Sequence, residues 1–144
     1  FLGLTFNWGI IMAWAAVNNN ISYEIIALYI SAIFWTLGYD TIYGVQDMVD
    51  DEIIGVKSTS VKFKKNIKFF VSTSYLLTSL ILIYLFQNML GLNIFTILLI
   101  FFILSLIYQV KKFNKHKAED CLNAFKFNNI SGLFLFLSIC SINL

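Results

Sequence analysis

Apolar residues run along the chain in five long blocks, about Leu2 to Val17, Tyr23 to Gly44, Ile67 to Phe86, Leu90 to Val110 and Ile130 to Leu144. Most of them approach the ~20 residues needed to cross about 30 Å of hydrocarbon. Backbone groups without water must pair inside their own segment, so the blocks predict α-helices. No repeat, low-complexity tract or linker interrupts the pattern. Residues 1–144 therefore read as a single all-α domain, a multi-span bundle with five transmembrane helices.

Composition agrees with the pattern. Hydrophobic residues make up 59% of the chain and charged residues 12%, with no proline, and the mean hydropathy is +0.79. Soluble domains carry about 25% charged residues, so the chain falls in the membrane class, with the lipid bilayer as its partner, and nothing in it predicts a nucleic-acid partner. Every basic residue is a Lys, and all lie between or at the edges of the blocks. The connections at 18–21 and 87–89 are uncharged, whereas 45–66 and 111–127 hold nearly every charge. Cationic loops stay cytoplasmic, and both charged connections fall on one side if all five blocks span. The predicted setting is a bacterial inner membrane, or alternatively a mitochondrial one. FLGLTFNWG opens without Met inside an apolar block, and no basic stretch precedes Ala13-Trp14-Ala15 as a signal peptide requires. The reading is a chain whose N-terminal part is missing. Neither Cys121 nor Cys140 sits in a metal or redox pattern.

Residues 39–59 read YDTIYGVQDMVDDEIIGVKST, and they hold Asp40, Asp47, Asp50, Asp51 and Glu52, five of the eight acidic residues. Such a cluster is either a solvated loop or a cation site, because carboxylates at membrane depth are costly without a cation. Projected onto one continuous helix at about 100° per residue, Asp40, Asp47 and Asp51 share an arc of about 40°, flanked by Tyr43 and Asp50. Like charges at i, i+4 destabilise a bare helix, yet that spacing of hard oxygen ligands suits Mg²⁺, which binds through one or two carboxylates plus substrate phosphates. A diphosphate ester would give such a cation its task, stabilising charge on a departing pyrophosphate. Lys57, Ser58 and Thr59 offer a cation and hydroxyl donors in the following loop, although spacing alone serves a topology-setting Lys equally well.

Tyr39-Asp40, Tyr43-Gly44, Asp47, Asp50-Asp51, Gly55 and Lys57-Ser58 together resemble the second aspartate-rich motif of the UbiA superfamily of intramembrane prenyltransferases. They look most like the branch that prenylates 4-hydroxybenzoate, with the pattern YDxxYAxxDxxDDxxxGxKS. Gly44 stands where Ala is usual, a small-for-small change. FLGLTFNWGIIMAWAA is similar to the family's helix before that motif, and AFKFNNISGLFLFLSI to its final helix. The resemblance thus covers nearly the whole chain, and it implies a bundle of nine transmembrane helices of which these are the last five.

The resemblance implies that Asp47 and Asp51 hold Mg²⁺ with Asp50 in support, and that Asp40 and Tyr43 line the reaction cavity. Tyr39, Lys57 and Ser58 would bind substrate, with Lys57 either on the diphosphate or closing the cytoplasmic cap. The partners it implies are a polyprenyl diphosphate and 4-hydroxybenzoate or a similar aromatic acceptor, in ubiquinone biosynthesis. The family's first motif, NDxxDxxxD, does not occur here, so the chain alone is expected to be inactive. Two other readings stand beside this one: another branch of the superfamily, acting on naphthoate, haem or a chlorophyll precursor, and a cation transporter whose acidic residues line a path.

Other polar and aromatic residues are candidates of lower rank. Trp8, Trp14 and Trp35 could line an isoprenoid tunnel or simply pack. Asn7 either faces the cavity or bonds a neighbouring helix. His116, between Lys115 and Lys117, reads as loop, as do Glu119 and Asp120.

Overall fold

With no proline to interrupt them, the Ile-, Leu- and Phe-rich blocks wind into helices that dominate the computed structural model, which describes residues 2–114 and 117–143. The loop reading of Lys115 and His116 lies outside the described residues. The elements are α1 (Leu2–Phe6), α2 (Trp8–Asn18), α3 (Tyr23–Tyr43), α4 (Met48–Ile54), α5 (Thr59–Lys62), α6 (Ile67–Leu85), α7 (Ile94–Lys112) and α8 (Ala118–Cys140). Short 3₁₀ turns follow at Gln87–Met89 and Ser141–Asn143, and no strand occurs among the described residues. The all-α expectation holds.

Three helices, α3, α6 and α7, of 21, 19 and 19 residues, are long and apolar enough to cross a membrane. The outer two blocks depart from the expected pattern. The first is divided at Asn7, whose side-chain amide donates to the Gly3 carbonyl (2.8 Å) and to Thr36 Oγ1 on α3 (2.8 Å). A side chain that bonds its own backbone competes with helix continuation. The last block begins at residue 118 rather than 130, because α8 carries Asn123, Lys126, Asn128 and Asn129 through its first turns. Hydropathy discounts those residues, but the helix contains them.

Packing follows chain order. The antiparallel pairs α3/α6 and α7/α8 form the two longest interfaces, and α3 also packs on α8. Gly38 makes the first pair close, since a Cβ there would lie inside the ring of Tyr75 on α6. Ser31 and Thr78 then exchange hydroxyl-to-carbonyl bonds across the same interface (3.3 and 3.2 Å). A buried polar chain links the remaining helices. Tyr75 donates to Gln109 Oε1 (2.8 Å), Gln109 Nε2 donates to Ser131 Oγ (2.8 Å), and Ser105 Oγ donates to Ser131 Oγ (2.7 Å). All four residues are buried. Bonds of this kind between membrane helices are worth about 0.6 kcal/mol each on average.

The two charged connections meet at one end of this bundle. Lys68 Nζ, in the first turn of α6, lies 5.3 Å from the ring centre of Phe113 just after α7. Tyr43, closing α3, sits 4.8 Å from the Phe125 ring in the early turns of α8.

Candidate active site

The acidic stretch begins where α3 ends. Gly44 N–H still donates to the Asp40 carbonyl (2.8 Å), but Val45 and Gln46 N–H turn to Ile42 and Tyr43, in i to i−3 bonds of 3.4 and 3.0 Å. Helix resumes at Met48, so residues 44–47 are a tightened turn. Such 3₁₀-type turns advance the chain by about 120° per residue rather than 100°. The single helix projected from Asp40 to Asp51 is therefore interrupted, and the shared phase of Asp40 with Asp47 and Asp51 does not survive.

Asp47 and Asp51 keep their one-turn relation. Asp47 is the N-cap residue of α4, and Asp51 N–H donates to its carbonyl (2.8 Å). The Asp47 carboxylate makes no capping bond, unlike most acidic N-caps. Asp47 and Asp50 are exposed and Asp51 is partly so. Glu52 goes elsewhere, since Lys64 Nζ donates to both its oxygens (2.8 and 2.7 Å) in an exposed ion pair. Among the described residues no three acidic, His or Cys side chains gather as a ready metal cage. What this chain offers a cation is one helical turn with two hard oxygen donors, a set that fits Mg²⁺ when phosphate oxygens complete the shell.

Gly55 ends α4 at φ +83°, in the left-handed region where Gly is free of the Cβ penalty. Gly55 and Val56 N–H both donate to the Asp51 carbonyl (2.9 Å each), which reverses the chain toward Lys57. Lys57 is exposed. Ser58 caps α5 by accepting from Val61 N–H (3.3 Å), leaving its own proton available to another acceptor. The return strap is then clasped to α3. Ser60 Oγ donates to the Thr41 carbonyl (3.0 Å), and the Thr41 and Thr59 hydroxyls bond at 2.8 Å. Ser60 Oγ also fills the space beside Gly44, where a Cβ would approach it to 2.5 Å.

Below the turn, Trp35, Tyr39 and Tyr43 recur every four residues along one side of α3. Phe125 of α8 faces Tyr39 and Tyr43, with ring centres 6.0 and 4.8 Å away. Between α1, α3 and α8 opens a cleft of about 430 Å³, lined by Asn7, Trp35, Thr36, Tyr39, Phe125 and Asn128 among others. Trp35 Nε1 donates to Asn128 Oδ1 (2.9 Å), fixing both at its wall. Tyr39 thus lines a cavity, and Asp40, the next residue, is half-buried in the last turn of α3. Asn7 does both things expected of it, bonding a neighbouring helix and facing the cleft. Of the three Trp residues only Trp35 lines it; Trp8 is exposed, packing edge-on against Tyr29, and Trp14 Nε1 is buried without a partner among the described residues.

Phe125, Thr36 and Asn128 were not anticipated. FKFNN at 125–129 was the available signal, since amides within an apolar block need partners inside it.

An all-α bundle with three spans long and apolar enough to cross a membrane, and an amide- and aromatic-lined cleft beside them, defines the class of integral membrane proteins. The UbiA prenyltransferase family matches residues 1–137, and the chain belongs to that family. Over 151 residues it is 37% identical to the mitochondrial 4-hydroxybenzoate polyprenyltransferase of Homo sapiens, covering 99% of this chain and 39% of that protein. The protein of the same name in Rattus norvegicus is 37% identical over 149 residues, covering 99% and 38%. That of Arabidopsis thaliana is 49% identical over 73 residues, covering 50% of this chain and 18% of its own. The chain spans about two fifths of the length of the human and rat relatives it matches. No solved structure matches it.

Proposed function

We propose that, within the complete protein, this segment supplies one half of a Mg²⁺-dependent site that moves a polyprenyl group from its diphosphate to the ring of 4-hydroxybenzoate. One observation carries the reading. Asp47 and Asp51 stand one turn apart on α4, directly after a helix whose aromatic side, Tyr39 and Tyr43, faces Phe125. The names of the relatives support the acceptor and the donor class.

In this reading Asp47 and Asp51 hold Mg²⁺, and Asp50 beside them strengthens the field. When bound, the ion neutralises charge on the diphosphate leaving group. The remaining work falls to the chain itself. Lys57 and Ser58, at the start of the strap, bind diphosphate oxygens by charge and hydroxyl. The allylic C–O bond breaks toward that end. The ring faces of Tyr39 and Tyr43 attract the positive carbon left behind, an interaction that strengthens where water is excluded. Asp40 adds a compensating carboxylate in the last turn of α3. The ring carbon ortho to the acceptor hydroxyl then forms the new C–C bond, and the ring loses a proton. The Lys-bearing end faces the cytoplasm of a bacterium or the matrix of a mitochondrion, following the bias of basic loops.

The test is complementation of a strain lacking this prenyltransferase, using the full-length gene, with products identified by mass spectrometry. Prenylated 4-hydroxybenzoate is the expected product, and prenylated naphthoate or a tetrapyrrole product would move the protein to another branch. Asp47→Ala and Asp51→Ala should each lower turnover by about 100-fold or more, the scale of losing a main electrostatic contributor at developing charge. Wild-type turnover in both variants would remove Mg²⁺ from these residues.

A further inference from the structure

The antiparallel helices α6 and α7 touch far less than α3 and α6 or α7 and α8 do, and an open groove of about 510 Å³ runs between them. Leu76, Leu80 and Ile83 of α6 and Ile103 and Ile107 of α7 line it, with Lys111 at one end. We propose that this groove is a docking site for an anionic phospholipid, with an acyl chain between the helices and the phosphate at Lys111 and Lys68.

The walls ask for hydrocarbon. Their hydroxyls are already spent: Ser72 donates to the Lys68 carbonyl (2.6 Å), Ser79 to the Tyr75 carbonyl (2.8 Å) and Tyr75 to Gln109 (2.8 Å). No free donor is left to hold a polar ligand along the floor. From Ser72 to Ile83 the groove covers about 17 Å of helix at ~1.5 Å per residue, close to one leaflet of a ~30 Å hydrocarbon core.

Its ends differ in charge. Lys68 begins α6 and lies over Phe113, so it stands beside the end of α7 that carries Lys111 and Lys112. Among the described residues no carboxylate lines the groove, and the ion pair formed by Lys64 and Glu52 involves none of these three lysines. At the far end, residues 84–95 carry no charge at all. A ligand with one anionic end and a long apolar tail fits in only one direction. Basic side chains at a membrane face attract acidic headgroups, each strengthening binding about fivefold. A zwitterionic headgroup would bring an ammonium to a site already holding only cations.

The experiment places a benzoylphenylalanine photocrosslinker at Ile107 or Leu80 of the full-length protein, in vesicles of equimolar phosphatidylglycerol and phosphatidylcholine. A third probe at Leu133, an exposed position on α8, reports ordinary lipid contact. Illumination should give phosphatidylglycerol adducts over phosphatidylcholine adducts by at least about fivefold at Ile107 and Leu80, with no preference at Leu133. The double variant Lys68→Gln, Lys111→Gln should abolish the preference while leaving adducts at Leu133 unchanged. Equal capture of both lipids in the unsubstituted protein would overturn the proposal, leaving bulk lipid as the occupant. Crosslinks into the protein's own chain would overturn it too, by showing that another segment fills the groove.

Discussion

Two polar regions of this apolar chain behave in opposite ways. The chain Tyr75–Gln109–Ser131–Ser105 lies deep among α6, α7 and α8, and each of its residues has a partner within 2.8 Å. The turn at 44–47 and α4 stand at the bundle end, with exposed carboxylates at Asp47 and Asp50 and no cap bond from Asp47. In the first region polarity is used up inside the fold and specifies which helix faces which. In the second it is left over, which a fold tolerates only where water, an ion or a ligand takes it up. Partner status, more than polarity, separates architecture from function here.

Three substitutions test that division. Gly38→Ala should be the most damaging, because the new methyl enters the Tyr75 ring and drives α3 away from α6. Overpacking of this kind costs about 1–3 kcal/mol, and thermal unfolding of the full-length protein in detergent should show it. Tyr75→Leu in the same molecule should recover part of the loss. Gln109→Leu should come next. It leaves the Tyr75 hydroxyl and one Ser131 contact unpaired where no water reaches, at about 1–3 kcal/mol, and turnover should fall only as far as the folded fraction falls. Glu52→Gln should do least. It removes an exposed ion pair worth about 0–1 kcal/mol, and both midpoint and turnover should stay close to those of the unsubstituted protein. A large loss of turnover in Glu52→Gln with unchanged stability would break the contrast, since it would place a spent carboxylate in the site.

Periodicity and hydropathy carried much of the fold. The blocks expected at Tyr23 to Gly44 and Ile67 to Phe86 match α3 and α6 to within a residue, because the charged residues they contain, Glu24, Asp40 and Lys68, fall in their end turns and leave the middle apolar. The beginning of α8 was illegible, since Asn123, Lys126, Asn128 and Asn129 look like loop until Trp35 is known to donate to Asn128 from 93 residues away. The break at Asn7 was hidden for the same reason, its partner Thr36 lying 29 residues on. In the site, the i, i+4 relation of Asp47 and Asp51 was legible because it is local. The place of Asp40 was not, because two i to i−3 bonds at Val45 and Gln46 reset the helical phase. A helical projection assumes the hydrogen-bond pattern that those bonds replace.

The bond from Ser60 to Thr41, between residues 19 apart in sequence, has a consequence for how this molecule tolerates change. Both roots of the acidic arm are fastened at one point on α3, so the intervening backbone forms a closed bight rather than a link in the helical scaffold. The entropy of closing such a bight rises only with the logarithm of its length, about 0.6 kcal/mol for each doubling. Residues added to or removed from its outer bend alter how far the carboxylates extend, while every spanning helix keeps its register.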